Sequence, residues 1–307
     1  MPVRAAVMVF IAGSGLLTTG AVQAAPAPDP EKLGRQAEIL TEQYNGKRLA
    51  LKKARLAQRA AERQAQQAGA EYETARLKAG ALAASQYMMP GAESEVSLFT
   101  GDDVQAALDQ SAASRYLAAQ QVQQLRQLAL TRMRYERSAG AARARTAEIQ
   151  KLTKDLAAKK AKIEKLISKI PASRGGTGGA PPVSSPASGK AAVVVNAALS
   201  RVGKPYVYGA AGPNSFDCSG LMLWAYAKVG MSLPHYTGAQ YNMGTRISSR
   251  GQVQPGDILF FYPDLGHNGM YIGNGKMVHA PRSGKNVEVV DLAQYWWGQF
   301  SGASRLL

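Results

Sequence analysis

From Leu128 to Ile170 an apolar or small residue returns at every seventh position: Leu128, Tyr135, Ala142, Ile149, Leu156, Ile163 and Ile170. Leu152 and Leu166 fill companion positions of the same seam, and Lys159 interrupts it. A sheet has no use for a repeat of seven. A helix that winds against another helix does, because 3.5 residues per turn keep one stripe on the partner. The surrounding residues 30–170 are rich in Ala, Gln, Lys, Arg, Leu and Glu, a composition that favours long helices. A weaker pattern begins upstream at Leu33, Ala37, Leu40, Tyr44 and Leu51. Between the two stretches, Met88-Met89-Pro90-Gly91 must break the helix, since proline lacks the N–H and glycine is too permissive. Residues 97–103 read as a loop, with a new helix starting near Asp102. The expected architecture is a helical coiled-coil hairpin over 30–170. Pairing of one arm with a second chain is the open alternative.

Pro171 closes this region, and residues 171–189 form a Pro/Gly/Ser-rich flexible linker with Arg174 as its single charge. At the other end, Arg4 precedes an apolar stretch from Ala5 to Val22, and Val22-Gln23-Ala24 suits a signal peptidase. Residues 1–24 read as a signal peptide cleaved after Ala24. Gly13, Ser14, Thr18, Thr19 and Gly20 make the stretch a poor membrane anchor. The mature chain is expected to be secreted and associated with the cell wall. Its formal charge is +16, of which +11 falls in residues 1–187 and +5 in 188–307. So basic a surface outside the cell suits anionic wall polymers or lipid headgroups. Nucleic acid, which an exported protein would rarely meet, is not expected as a partner.

Residues 190–307 have the composition of a compact domain. Ala191–Arg201 and Cys218–Val229 read as helices, and 257–262, 269–272, 276–279 and 287–290 as strands. Gly273-Asn274-Gly275 between two of them is a hairpin signal. Helices followed by antiparallel strands make an α+β class, and about 118 residues suffice for one core. Cys218 is the only cysteine, so it has no intrachain disulfide partner, and it stands directly before a helix. The positive end of that helix favours a thiolate, and its free N–H groups suit an oxyanion. His267 is placed to act as base. His279, twelve residues on across the turn, is placed to orient it from the neighbouring strand. Metal spacing is absent, with no Cys-x-x-Cys and no His-Glu-x-x-His, and no Gly-x-Ser-x-Gly elbow is available to a serine hydrolase. No metal and no cofactor are expected. The third histidine, His235, reads as a loop residue with a structural or solvent-exposed role.

Five blocks occur in order: Gly203-Lys204-Pro205-Tyr206-Val207-Tyr208-Gly209, Asp217-Cys218-Ser219-Gly220-Leu221, Pro255-Gly256-Asp257-Ile258-Leu259-Phe260-Phe261, Gly266-His267-Asn268-Gly269-Met270-Tyr271-Ile272-Gly273 and Val278-His279-Ala280-Pro281. Together they resemble the NlpC/P60 family of papain-like cysteine peptidases across essentially all of 190–307. The resemblance implies a minimal papain-like α+β fold and cleavage of peptidoglycan stem peptides, usually between D-γ-glutamate and the diamino acid. It also implies Cys218 as nucleophile, His267 as base and His279 as orienting third member. Tyr206, Asp217 and Ser219 then border the substrate, although Asp217 and Ser219 suit helix capping equally well. Asn268 departs from the small apolar residue usual after the base. Alternation points it away from His267, with little expected effect on the chemistry.

Helical hairpins ahead of wall hydrolases resemble modules that restrain the enzyme or dock it to a membrane division complex. Residues 30–170 are accordingly expected to regulate access to Cys218. The competing reading is a non-catalytic wall-binding protein whose coiled coil does the work. An intact Cys–His–His set argues against it, and thiol reactivity separates the two.

Overall fold

The computed structural model describes residues 29–88, 104–170, 185–293 and 295–307. The expected signal segment, the Pro90 break with the loop at 97–103, and linker residues 171–184 lie outside the described residues. Two long helices, α1 (Pro30–Met88) and α2 (Val104–Ile167), pack along one another. At 1.5 Å per residue each is roughly 90 Å long. Lys47 pairs with Asp155 at 2.8 Å, Gln58 donates to Thr146 at 3.1 Å, and Tyr72 stacks on Tyr135 at 5.9 Å. Residue numbers rise along one helix as they fall along the other, so the two run antiparallel. Of the two arrangements the sequence left open, the chain forms the intramolecular hairpin. Leu156 and Ile163 of the heptad seam are buried, as is Ala54 of α1.

Beyond the hairpin come α3 (Gly189–Leu199), α4 (Cys218–Ala227) and α5 (Thr237–Tyr241), then a six-stranded antiparallel sheet. Its strands are β1 (Thr245–Ile247), β2 (Ile258–Phe261), β3 (His267–Gly273), β4 (Lys276–His279), β5 (Glu288–Asp291) and β6 (Phe300–Arg305), in the order β1-β6-β2-β3-β4-β5. Alternation along β2 divides two cores. Ile258 and Phe260 join Met270, Ile272 and Val278 under α3 and α4, while Leu259 and Phe261 join Met277 and Leu292 on the opposite face. The outer strands β1 and β6 were not legible, because Thr-Arg-Ile and Phe-Ser-Gly-Ala-Ser-Arg carry too little apolar alternation. They pair with each other, and β6 completes the edge of β2.

The β3–β4 turn fixes what matters most for the site. Gly273 pairs with Lys276, which leaves Asn274 (φ 52°) and Gly275 (φ 68°) as a two-residue loop with both φ positive. Such turns match the twist of the flanking strands. The resulting register, Tyr271 opposite Met277, carries His267 and His279 onto the same face.

Candidate active site

Cys218 is the first residue of α4, and Asp217 is its N-cap. One Asp217 oxygen accepts the Gly220 N–H at 2.7 Å, and the other accepts the Gly209 N–H at 2.8 Å. The cap needs a glycine at 220, where a Cβ would lie 2.1 Å from the Ala210 carbonyl oxygen. His235 also addresses this carboxylate, with Nε2 2.7 and 2.9 Å from its two oxygens. Burial works against charge on the His235 ring, but its hydrogen bond to Asp217 and that carboxylate's charge outweigh it and raise the pKa. The loop histidine is therefore a partner of Asp217, inside the site rather than beside it.

The two sheet histidines meet as the strand pattern predicts. His267 Nε2 is 2.8 Å from His279 Nδ1, and both rings are buried. They pass diagonally across Gly269, where a Cβ would fall 2.7 Å from Met277 Sδ and 3.1 Å from His279 Cβ. His279 Nε2 faces Glu288 at 3.6 Å. With its proton on that side, Nδ1 is the acceptor and His267 Nε2 the donor, so Nδ1 of His267 is left for a second partner, which in the closed arrangement is Glu38. Trp296 stacks on His267 with ring centroids 4.9 Å apart and meets His279 edge-on at 5.0 Å. Desolvation by full burial, reinforced by His267, lowers the His279 pKa to about 4. His279 is a neutral ring at neutral pH.

Asn268 alternates to the other face, as expected, yet it is fully buried and its amide donates to Gln240 Oε1 at 2.7 Å. Gln240 donates in turn to the Ser219 carbonyl at 2.9 Å and the Pro234 carbonyl at 2.8 Å. Asn268 is one end of a polar chain that holds the backbone directly after Cys218.

The largest departure concerns access. The sequence led us to expect a thiolate activated at a helix N-terminus, but Cys218 is fully buried and its pKa is raised well above the usual value. Desolvation is the main cause, followed by the charges of Glu42, Glu38 and Asp217. The cover is α1. Glu38 engages His267 Nδ1 in a short hydrogen bond. Glu42 accepts from Ser219 Oγ at 2.8 Å, from the Thr237 N–H at 2.7 Å and from Cys218 Sγ at 3.6 Å. Asn45 donates to Asp217 at 3.1 Å and to Glu42 at 3.2 Å. Arg35 pairs with Asp264 at 2.9 Å and lies 3.5 Å over the Tyr262 ring. From α2, Glu164 accepts from Tyr208, whose ring meets Tyr44 edge-on. A cavity of about 360 Å³ between Arg35, Tyr262, His279, Arg282 and Trp296 reaches the second histidine but is not lined by Cys218.

Glu38, Glu42, Asn45 and Trp296 are the site residues that sequence reasoning missed. The buried face of the first turns of α1 is polar, so a search for apolar periodicity reads past it. One usable signal was Gly34 and Gly46 inside a long helix. A Cβ at 34 would lie 2.4 Å from Arg282 Cδ, and one at 46 would lie 3.2 Å from the Tyr236 ring. Both glycines let the helix approach the domain closely. Tyr206 is buried near Cys218, and among the described residues its hydroxyl has no hydrogen-bond partner.

An antiparallel sheet carrying paired histidines, set against a helix that a cysteine opens, defines a class of α+β thiol domains. Residues 203–305 match the NlpC/P60 family, and the C-terminal part of this chain is an NlpC/P60 domain. A probable endopeptidase of Mycobacterium tuberculosis is 46% identical over 106 residues, covering 34% of this chain and 27% of that protein. A probable endopeptidase of Corynebacterium glutamicum is 45% identical over 98 residues, covering 32% and 46%. The peptidoglycan endopeptidase RipA of M. tuberculosis is 43% identical over 110 residues, covering 31% and 23%. The chain thus spans less than half the length of each of these relatives.

Proposed function

We propose that this protein is a cell-wall hydrolase that cleaves peptidoglycan stem peptides by thiol chemistry and is held closed by its own hairpin. The observation that carries the reading is the meeting of Cys218, His267 and His279 at the start of α4, within a domain of this family. Once α1 is withdrawn, His267 Nδ1 takes the proton of Cys218, and the sulfur attacks the scissile carbonyl carbon. The negative charge that develops on the carbonyl oxygen falls to N–H groups at the start of α4. The imidazolium then gives its proton to the departing amine, and water releases the thioester. His279, neutral and facing Glu288, orients His267 throughout.

Substrate class is read from what α1 leaves in the groove. A carboxylate rests on Ser219 Oγ and the Thr237 N–H, and an N–H donor points at Asp217. Glutamate linked through its γ-carbonyl keeps a free α-carboxylate, and a short stem peptide offers an N–H or amine donor next to it. That supports the bond between D-γ-glutamate and the diamino acid, with Asp217, Ser219 and Tyr206 lining the substrate site. Export and retention at the wall through anionic polymers agree with the +16 charge, and docking of the hairpin on a membrane division complex is the corresponding route to release.

Digestion of defined muropeptides with product masses tests the reading. A chain carrying Glu38→Ala and Glu42→Ala should release fragments cut at the γ-glutamyl bond, and adding Cys218→Ala should abolish release with the fold intact. Equal release with and without the thiol would end the hydrolase reading.

A further inference from the structure

Where α1 closes over the nucleophile, the two parts of the chain bring together a set of side chains that neither holds alone. Cys218 Sγ, a ring nitrogen of His267 and a carboxylate oxygen of Glu38 all lie within 4.8 Å of one another, and all three residues are buried. Glu42, one helical turn after Glu38, places a second carboxylate oxygen 3.6 Å from the same sulfur. Glu38 also pairs with Arg35 at 3.0 Å, while Glu42 accepts from the Ser219 hydroxyl, the Thr237 N–H and the Asn45 amide. Among the described residues, Asn45 Oδ1 and the Tyr206 hydroxyl are buried without partners, and the Asn45 amide nitrogen is committed to Glu42 and Asp217. Burial first, and then the neighbouring Cys218, Asp217, Glu38 and Glu42, raise the pKa of the Tyr206 hydroxyl. Arg35 offsets the charge of Glu38, but among the described residues Glu42 has no ion-pair partner, and a small cation would answer that buried carboxylate.

We propose that the closed state is a zinc site, with Cys218, His267 and Glu38 as the three donors already gathered and Glu42, beside the sulfur, turning in as the fourth, and that the ion latches the hairpin shut. The inference rests on the closed state of the proposed function and adds to it what makes closure switchable. One thiolate, one imidazole and two carboxylates around four-coordinate geometry suit zinc, whereas calcium and magnesium prefer all-oxygen shells. The proton balance is simple. The ion takes the place of the thiol proton of Cys218 and of the proton between Glu38 and His267 Nδ1, and both protons pass to solvent. Because two donors come from each side, binding favours the docked arrangement by mass action, and removing the ion frees the nucleophile. No spacing motif announces such a site, since Glu38 and Cys218 are far apart in sequence and meet only on docking.

The test uses the reduced full-length chain and the metal alone. Calorimetric titration with Zn²⁺ should show one equivalent bound with proton release, and Co²⁺ should give a sulfur-to-metal charge-transfer band that is absent in Cys218→Ser. Glu38→Gln and Glu42→Gln, each isosteric, should each weaken binding at least about 100-fold, beyond the usual effect of outer-shell changes. Zn²⁺ should also slow iodoacetamide labelling of Cys218 in the wild type but not in Glu38→Gln. Absence of a stoichiometric ion would overturn the proposal. So would unchanged affinity in both glutamine variants, because the Cys–His pair alone would then be the binder. A chain that binds zinc as described but cleaves no muropeptide keeps the latch and loses the hydrolase. A chain that cleaves but binds no ion does the reverse.

Discussion

His279 carries the domain's clearest pH signature. Its ring is buried as the neutral form with a pKa near 4, whereas the unfolded ring takes up a proton near ~6.5. Between these values the unfolded chain binds more protons, so stability rises with pH across the window and is lost as pH falls from about 6.5 toward 4. The full shift is worth roughly 3 kcal/mol. Urea midpoints of the wild type should therefore drop on going from about pH 7 to about pH 4.5, and His279→Gln should flatten that drop. Glu42 works in the opposite direction. Desolvation and then the Asp217 charge raise its pKa in the docked state, although Thr237 and Ser219 donate to it. The docked form thus holds the proton more tightly than the released form. Through Glu42, and with no ion bound, docking is favoured at acid pH and weakens as pH rises from the ordinary carboxylate value toward the raised one. After correction for thiolate fraction, labelling of Cys218 should rise with pH in the wild type and stay flatter in Glu42→Gln.

At the scale of elements, the docking surface of α1 can be tested through its glycines. In an exposed helix a Gly→Ala change adds about 1 kcal/mol of helix stability, because alanine loses less backbone entropy. At Gly34 and Gly46 the new side chain meets Arg282 and Tyr236. Gly46→Leu should leave the hairpin at least as helical by circular dichroism while speeding labelling of Cys218 by about tenfold or more, equivalent to about 1.4 kcal/mol of lost docking. Unchanged labelling would mean the glycine serves no close approach. The same element shows which parts of the molecule the sequence could reveal. The seam at Leu156 and Ile163 was legible because apolar burial leaves a period. The Asp217-Cys218-Ser219 cap and the Asn274-Gly275 turn were legible because their geometry demands particular residue types. The cover was not. Leu33, Ala37 and Leu40 suggested an ordinary coiled-coil seam, but the residues that α1 buries against the domain include Glu38, Thr41, Glu42 and Asn45. Polar burial has no hydropathy signature, and its partners lie 172 to 229 residues onward. Trp296 was hidden for a related reason, since a short 3-10 turn gives no periodicity to place an aromatic ring over His267.

At the scale of the whole molecule, the proposed function has the hairpin and the substrate competing for one groove. Glu42 occupies the carboxylate cradle at Ser219 and Thr237, Asn45 occupies Asp217, and Glu38 holds the proposed base. A lever roughly 90 Å long leads away from that contact, with Leu117, Val122 and Leu125 exposed along α2. On that proposal a pull on the hairpin would reach Cys218. Competition has a kinetic form that differs from distortion. If docking only excludes substrate, the fraction of open enzyme scales the apparent KM, and saturating substrate recovers the full kcat. Docking worth about 3 kcal/mol would raise the apparent KM about 150-fold. Glu38→Ala with Asn45→Ala should therefore lower KM on soluble muropeptides by one to two orders of magnitude and leave kcat close to that of the wild type at saturation. A rise in kcat with KM unchanged would instead mean that α1 deforms the Cys218–His267 geometry even in the substrate-bound state. The seat of inhibition would then be the imidazole held by Glu38, not the groove.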